Sequence, residues 1–195
     1  MKRFVSIFVV FVLIVTSVFA TAGVAYATSG YVDGKYPVKG GYLYFDESTG
    51  TIVGCDNSVT EAVIPDKING VKVTSIGWGG FDGCSSLTNI NLPDSVTKIG
   101  WYAFRNCESL TKISLPDSVT EIGCDAFFGC ESLTSIKIPD GMTSISSHTF
   151  AYCSSLRRIS LPDGVTSIRG GAFKLCSSLN SIDIPDGVTS IGGSF

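Results

Sequence analysis

Residues 92–114 read LPDSVTKIGWYAFRNCESLTKIS, and the chain repeats this phrase along most of its length. New copies begin every 23 residues, at Leu115, Ile138, Leu161 and Ile184. An earlier copy begins at Ile64 and is five residues longer, with residues 67–71 as the insertion. A period of this length is typical of a solenoid, in which each copy buries its apolar side chains against its neighbours. The repeat therefore predicts one continuous array of coils.

Each copy contains two short stretches in which apolar and polar residues alternate, as they do in half-buried strands. In residues 110–115 the leucines and isoleucine are expected to point inward, and Lys112 and Ser114 outward. A proline ends this strand because it has no backbone N–H for the ladder. Residues 119–122 predict a shorter second strand on the opposite wall. A row of phenylalanines should form the spine of the core: Phe81, Phe104, Phe127, Phe150 and Phe173.

The segment before the repeats divides into two parts. Residues 1–27 read as a secretory signal peptide, with a basic start, an apolar run over residues 4–19 and a small-residue cleavage site at Ala25-Tyr26-Ala27. The alternative is an uncleaved anchor, which would be the chain's one contact with a membrane. Residues 28–58 predict a flexible lead as far as residue 41, followed by a β-hairpin that covers the first coil. The solenoid is then expected over residues 59–195, with its last repeat truncated.

The repeated phrase, as in IPDGMTSISSHTFAYCSSLRRIS at residues 138–160, resembles the BspA-like leucine-rich repeats of bacterial surface proteins. The resemblance covers residues 59–195 and implies a mainly β solenoid with a parallel sheet on one face. Its short second strands and tight turns would lie opposite that sheet. The family is associated with attachment to host proteins and to other cells, and it has no shared catalytic residues.

Composition and charge narrow the possible functions. Charged residues are only 16% of the chain and the formal net charge is −3. There is no basic tail and no RNA-binding signature, so nucleic acid is not expected as a partner. His148 is the only histidine. A catalytic triad needs a histidine beside a nucleophile and an orienting group, and His148 lies in a turn with an ordinary repeat role. We therefore expect no catalysis and no cofactor.

Cysteines and aspartates also recur with the repeat. The cysteine row is predicted to be buried as free thiols, since side chains in register tend to point in parallel: Cys84, Cys107, Cys130, Cys153 and Cys176. Cys55 lies in the lead strand, and Cys124 is expected near the surface. A linear row offers no tetrahedral cluster, so no metal site is predicted. The aspartate row is predicted to close the turns by accepting backbone N–H bonds, with a Ca²⁺ row as the alternative: Asp66, Asp94, Asp117, Asp140, Asp163 and Asp186.

Two surfaces are candidates for binding a partner, because the copies differ there. On the outward side of the first strands, Lys112, Lys137 and Arg158 predict a basic patch that attracts carboxylate or sulfate groups. The alternative is a solvated face that only keeps the protein soluble. Trp78 and Trp101 occupy equivalent positions in adjacent copies, beside Tyr102. Stacked indoles there can grip a sugar or a protein, or else cover the wide end of the first repeat.

These observations favour an exported, non-enzymatic recognition or adhesion module, secreted or at the cell surface, that binds an extracellular protein or glycan. The alternatives are a structural spacer and a repeat domain of a larger surface hydrolase. The chain stops partway into a copy, at residues 191–195, without a polar cap. That ending is expected either for a fragment of a longer protein or for a chain that associates end to end.

Overall fold

The computed structural model describes residues 34–193, and these form a solenoid of short strands. The predicted signal peptide lies outside the described residues. The strands are β1 (Gly34–Val38), β2 (Gly41–Asp46), β3 (Thr51–Cys55), β4 (Glu61–Val63), β5 (Lys67–Ile68), β6 (Val71–Lys72), β7 (Ser75–Ile76), β8 (Asn89–Asn91), β9 (Lys98–Ile99), β10 (Lys112–Ser114), β11 (Glu121–Ile122), β12 (Ser135–Lys137), β13 (Ser144–Ile145), β14 (Arg158–Ser160), β15 (Ser167–Ile168) and β16 (Ser190–Ile191). Between Gly34 and Gly193 there is no helix that could cross a lipid bilayer.

An antiparallel unit of three strands covers the first coil. The predicted hairpin is β2 and β3, and its turn has Gly50 at φ 69° with its N–H bonded to the Asp46 carbonyl. The Asp46 carboxylate accepts bonds from Ser48 and Thr49, which lower its pKa. β3 pairs in parallel with β7, so the hairpin extends the sheet of second strands.

Residues 34–38 correct the prediction of a flexible lead, since they form β1 and pair with β2 along its length. Tyr36 and Val38 are half-buried and pack against the core, which gives this short strand an apolar side. The five-residue insertion forms a small hairpin from β5 and β6. Its turn contains Asn69 and Gly70, both with positive φ, a pair typical of two-residue hairpin loops.

The first strands of successive copies build the predicted parallel sheet, in the order β14-β12-β10-β8-β4. Equivalent residues lie side by side, as Lys112 does with Asn89 and with Ser135. The second strands form parallel sheets on the other wall, β7-β9-β11 and β13-β15-β16. The mainly β solenoid with two strand-bearing walls is thus confirmed. In the last copy, however, residues 181–183 form no strand, although their sequence predicts one.

The phenylalanine row forms the predicted spine of the core. Phe81, Phe104, Phe127 and Phe150 are fully buried, and Phe173 is 4% exposed. Neighbouring rings lie nearly parallel, with centroids 5.2–5.7 Å apart. One coil cannot cover such a ring on both faces, whereas the coils before and after it can. The stack therefore ties the stability of each coil to that of its neighbours.

Four of the five cysteines in the row are buried free thiols, as predicted: Cys107, Cys130, Cys153 and Cys176. Each thiol donates to the carbonyl oxygen of the phenylalanine one coil earlier, at 3.0–3.1 Å. Burial raises the pKa of all four, that of Cys176 to about 11. The prediction is wrong for Cys84, which forms a disulfide with Cys55 of β3. The coil of Cys84 is preceded by the hairpin and not by another repeat, so no phenylalanine carbonyl of an earlier repeat is there to accept its thiol. The hairpin places Cys55 beside Cys84 instead.

The turns after the first strands are closed by the main chain. Val96 and Val119 donate their N–H groups to the carbonyls of Pro93 and Pro116, both at 3.0 Å. The prediction that the aspartate side chains close these turns is therefore wrong. All six carboxylates of the row are exposed, and within residues 34–193 none accepts a backbone hydrogen bond. The turn already satisfies its own donor, which leaves the carboxylates facing solvent.

One boundary between coils is looser than the others, and we call it the seam. It separates β10 and β11 from β12 and β13. The sheet of second strands is interrupted there, and β10 pairs with β12 at one position only within the described residues. Gly123 lets its coil approach closely, since a Cβ on it would lie 2.6 Å from the Trp101 nitrogen. Ser146 carries a Cβ at the equivalent position across the seam, and its hydroxyl donates to the Ile122 carbonyl at 2.7 Å.

Candidate functional site

The outward face of the parallel sheet carries the predicted cations in two columns. Lys112 and Arg158 share one column, with Ser135 between them. Lys137 lies in the other column, between Ser114 and Ser160. Strands are about 4.8 Å apart, so the backbones of Lys112 and Arg158 are about 10 Å apart. All three cations are exposed.

The three cations differ in how their charges are compensated. Lys137 Nζ lies 3.6 Å from an Asp117 carboxylate oxygen and 3.9 Å from one of Asp140. Within residues 34–193, Lys112 and Arg158 make no ion pair. Exposed ion pairs contribute little to stability, but they reduce the charge that a partner experiences. The basic character of this face therefore rests mainly on Lys112 and Arg158.

The aromatic residues lie on a different face, in the stacked turns that follow the second strands. Trp78 is 51% exposed and Trp101 is 54% exposed. The prediction that their indoles stack on each other is wrong. The edge of one ring of the Trp78–Tyr102 pair meets the face of the other, with centroids 5.8 Å apart and planes at 81°. The Trp101 ring instead covers Gly123 of the next coil, where a Cβ would lie 2.4 Å from its Cδ1 atom.

Arg105 adds a charged group to these rings. Its guanidinium carbon lies 4.7 Å from the centre of the Tyr102 ring. Its Nε and Nη2 groups donate to the two carboxylate oxygens of Asp82 at 2.9 and 2.7 Å. This bidentate bond raises the pKa of Arg105 and fixes the plane of the guanidinium. We call Trp78, Trp101, Tyr102, Arg105 and Asp82 the aromatic cluster.

The backbone of the turn places Tyr102 in an unusual conformation. Tyr102 has φ 57°, in the left-handed region that disfavours residues with a Cβ. The equivalent position in other coils also has positive φ, and it is filled by Gly79, Asp125, His148 and Gly171. His148 is thus half-buried in a turn, with its ring against Gly171. Since glycine fits this position in two coils, the fold does not require a tyrosine there.

A second group of apolar side chains lies further along the same face. The rings of Phe128 and Tyr152 are 4.9 Å apart, and Tyr152 is 40% exposed. Leu175, one coil beyond Tyr152, is 56% exposed.

Among residues 34–193 no three histidine, cysteine or acidic side chains converge to hold a metal ion. Cys124 is a half-buried free thiol, as predicted, at the position that Trp101 holds one coil earlier.

Sequence reasoning missed Arg105 and Asp82. The signal was available, because residues 23 apart lie side by side in adjacent coils and these two have opposite charges. The six residues predicted to bind a partner lie on two separate surfaces. Lys112, Lys137 and Arg158 lie on the sheet, and the other three in the aromatic cluster.

The fold defines a class of protein, the leucine-rich-repeat solenoids, in which stacked coils present a parallel sheet on one wall. Residues 56–195 match the family model of the BspA type leucine rich repeat region in six copies. The chain belongs to this family. No curated protein matches it.

Solved structures show the same architecture. A leucine rich repeat protein of T. pallidum is 28% identical, with a TM-score of 0.63, and the match covers 82% of this chain and 86% of that one. A leucine rich cell surface protein of Faecalibacterium prausnitzii is 29% identical, with a TM-score of 0.61 over 87% of this chain. This chain spans 52% of the latter's length. A leucine-rich repeat protein of Eubacterium ventriosum, 21% identical with a TM-score of 0.54, shares the fold over 78% of this chain and 47% of that one.

Proposed function

We propose that this chain is an exported recognition module, which attaches through its repeat surface to an extracellular protein or glycan and performs no catalysis. Family membership and the description of one structural relative as a cell surface protein support the location. The free thiols in the core support a non-catalytic role, because burial keeps them protonated and away from solvent.

The observation that carries the proposal is the column of Lys112, Ser135 and Arg158 on the sheet. It holds two exposed cations that make no ion pair with any residue from Gly34 to Gly193, about 10 Å apart, on a protein whose net charge is negative. A row of carboxylates or sulfates on a partner can meet both cations at once. Such contacts speed association and weaken as salt screens them.

The test is a binding screen of the purified protein against extracellular-matrix proteins and sulfated glycans. A Lys112→Ala/Arg158→Ala variant should lose about tenfold or more in affinity, and wild-type binding should weaken with added salt. Lys137→Ala is the matched control. Since the charge of Lys137 is already compensated by Asp117 and Asp140, its removal should change affinity less than about threefold.

Two results would count against the proposal. If the double variant binds as well as wild type, the site is not on the sheet. If the folded protein binds none of these partners, the repeat array acts as a spacer.

A further inference from the structure

The aromatic cluster has a surface chemistry different from that of the sheet. It exposes two indoles beside the half-buried ring of Tyr102 and one polar pair, and the charges of Arg105 and Asp82 cancel. We propose that this cluster is a binding site for a neutral oligosaccharide. The inference extends the proposed recognition function to a second surface, which can be tested separately.

The rings are held in place before any ligand arrives. Tyr102 is fixed between the Trp78 ring, which it meets in a T-shaped contact, and the Arg105 guanidinium. Arg105 is fixed in turn by its two bonds to Asp82, and Trp101 by its contact with the Gly123 backbone. Side chains that are already ordered lose little conformational entropy on binding. The exposed indole surface is therefore available at low cost.

The polar pair suits hydroxyl groups better than charged groups. Arg105 has five N–H donors and uses two of its nitrogens toward Asp82, so donors remain for a ligand. The Asp82 carboxylate keeps lone pairs that can accept bonds. A sugar hydroxyl both donates and accepts, and it can bond to either partner without separating them. Because the pair has no net charge, it attracts neither an anionic nor a cationic ligand over distance.

The surface of a sugar ring is also complementary to that of the indoles. Its C–H groups form an apolar face, and its hydroxyls project from the rim. Trp and Tyr rings pack against apolar faces while polar groups beside them set the orientation. Trp78 and Trp101 occupy the same position in adjacent coils, about 5 Å apart at their backbones. An extended oligosaccharide can therefore contact both indoles at once.

The fold itself does not require these side chains. In later coils the tryptophan position holds Cys124, Ser147 and Gly170. Tyr102 keeps an unfavourable φ where Gly79 and Gly171 show that glycine suffices. Side chains that are exposed, ordered and not needed by the fold are expected at a binding site.

Tryptophan fluorescence reports directly on this site, because Trp78 and Trp101 are the chain's only two tryptophans. The probes are short oligomers of glucose, mannose and N-acetylglucosamine, with a sulfated oligomer and a proline-rich peptide for comparison. A neutral oligomer should produce a saturable change at about millimolar concentration or below. Calorimetry with Trp78→Ala and with Trp101→Ala should show affinity reduced by about tenfold or more.

Tyr102→Gly provides a test that does not depend on the tryptophan variants folding. Glycine relieves the positive φ, but it loses the ring contacts with Trp78 and Arg105 and makes the unfolded chain more flexible. These effects oppose each other, so the variant should fold and should unfold at a denaturant concentration close to that of wild type. It should nevertheless bind the neutral oligomer about tenfold less tightly. The Lys112→Ala/Arg158→Ala variant should bind the neutral oligomer as wild type does, which separates this site from the sheet.

Three outcomes would overturn the inference. One is the absence of a saturable response to any neutral oligomer. Another is undiminished binding by Tyr102→Gly. The third is a response to the sulfated oligomer alone or to the proline-rich peptide alone, which would assign the cluster to an acidic glycan or to a peptide.

Discussion

Replacing Cys55 with alanine removes the disulfide that joins the hairpin to the first coil. The bond links residues 29 apart in sequence. Closing a loop of that length restricts the unfolded chain, and the entropy relation gives a stabilisation of about 3.5 kcal/mol at 25 °C. Cys84 would then remain as a fifth buried thiol, similar to its counterparts in later coils. We expect Cys55→Ala to lower the free energy of unfolding by about 3–4 kcal/mol.

Urea unfolding followed by tryptophan fluorescence is the appropriate assay. Trp78 and Trp101 lie in the coils next to the hairpin, so they report on the end of the solenoid that the disulfide stabilises. Adding a reductant to wild type should shift its transition to that of Cys55→Ala, and should leave the variant unchanged. Cys124→Ala is the control, since it removes a thiol that forms no disulfide, and its effect should stay within about 0.5 kcal/mol.

Wild type that unfolds at the same urea concentration with and without reductant would show that the disulfide does not stabilise the solenoid. Equal stability of Cys55→Ala and Cys124→Ala would show the same. Either result would mean that the hairpin is held by strand pairing and packing alone.

Phe127→Ala should lower the free energy of unfolding by about 3–5 kcal/mol in chemical denaturation, because it opens a cavity in the middle of the ring stack. Phe128→Ala should lower it by only about 1 kcal/mol, because that ring is half-buried. Equal losses in the two variants would contradict the packing described. In the native protein at pH 8, mass spectrometry after alkylation should show one modified thiol, Cys124, and denaturation without reductant should raise the number to five. Gly123→Ala should destabilise the solenoid by about 1–3 kcal/mol, because its Cβ would collide with the main chain of the preceding coil. Gly141→Ala, whose Cβ would meet a threonine methyl at 3.3 Å, should cost less in the same assay.

The repeating part of the fold was predictable because one rule gives the position of most of its residues. A residue lies beside the residue 23 positions later, so a phrase that buries Phe104 also buries Phe127 against it. The same rule sets which strand residues face outward, and it holds for Lys112 and Arg158 in one column. The repeat period does not predict contacts made by segments that occur only once in the chain. The disulfide of Cys55 and the pairing of β1 with β2 are contacts of that kind.

The candidate site was predictable in its residues but not in its geometry. Exposed tryptophans at equivalent positions suggested a stack, because equivalent side chains in the core do stack. At the surface nothing forces parallel rings, and the left-handed backbone of Tyr102 brings a third ring against Trp78 instead. The prediction that the aspartate side chains close the turns was wrong for a related reason. A carboxylate can close a turn, but the proline carbonyl and the valine N–H had already done so.

The seam has a mechanical consequence. A solenoid under tension along its axis transmits force from coil to coil through hydrogen bonds between neighbouring strands. At Ser146 a serine hydroxyl takes the place of a main-chain donor, and β11 and β13 are not paired with each other. Main-chain bonds in the turns still cross the boundary, such as that from the Phe127 N–H to the Thr149 carbonyl at 2.8 Å. Because the sheets contribute so little there, we expect a stretched array to yield first at this boundary. A tether built from these coils would part into two blocks, each still folded, and would lengthen before either block unravelled.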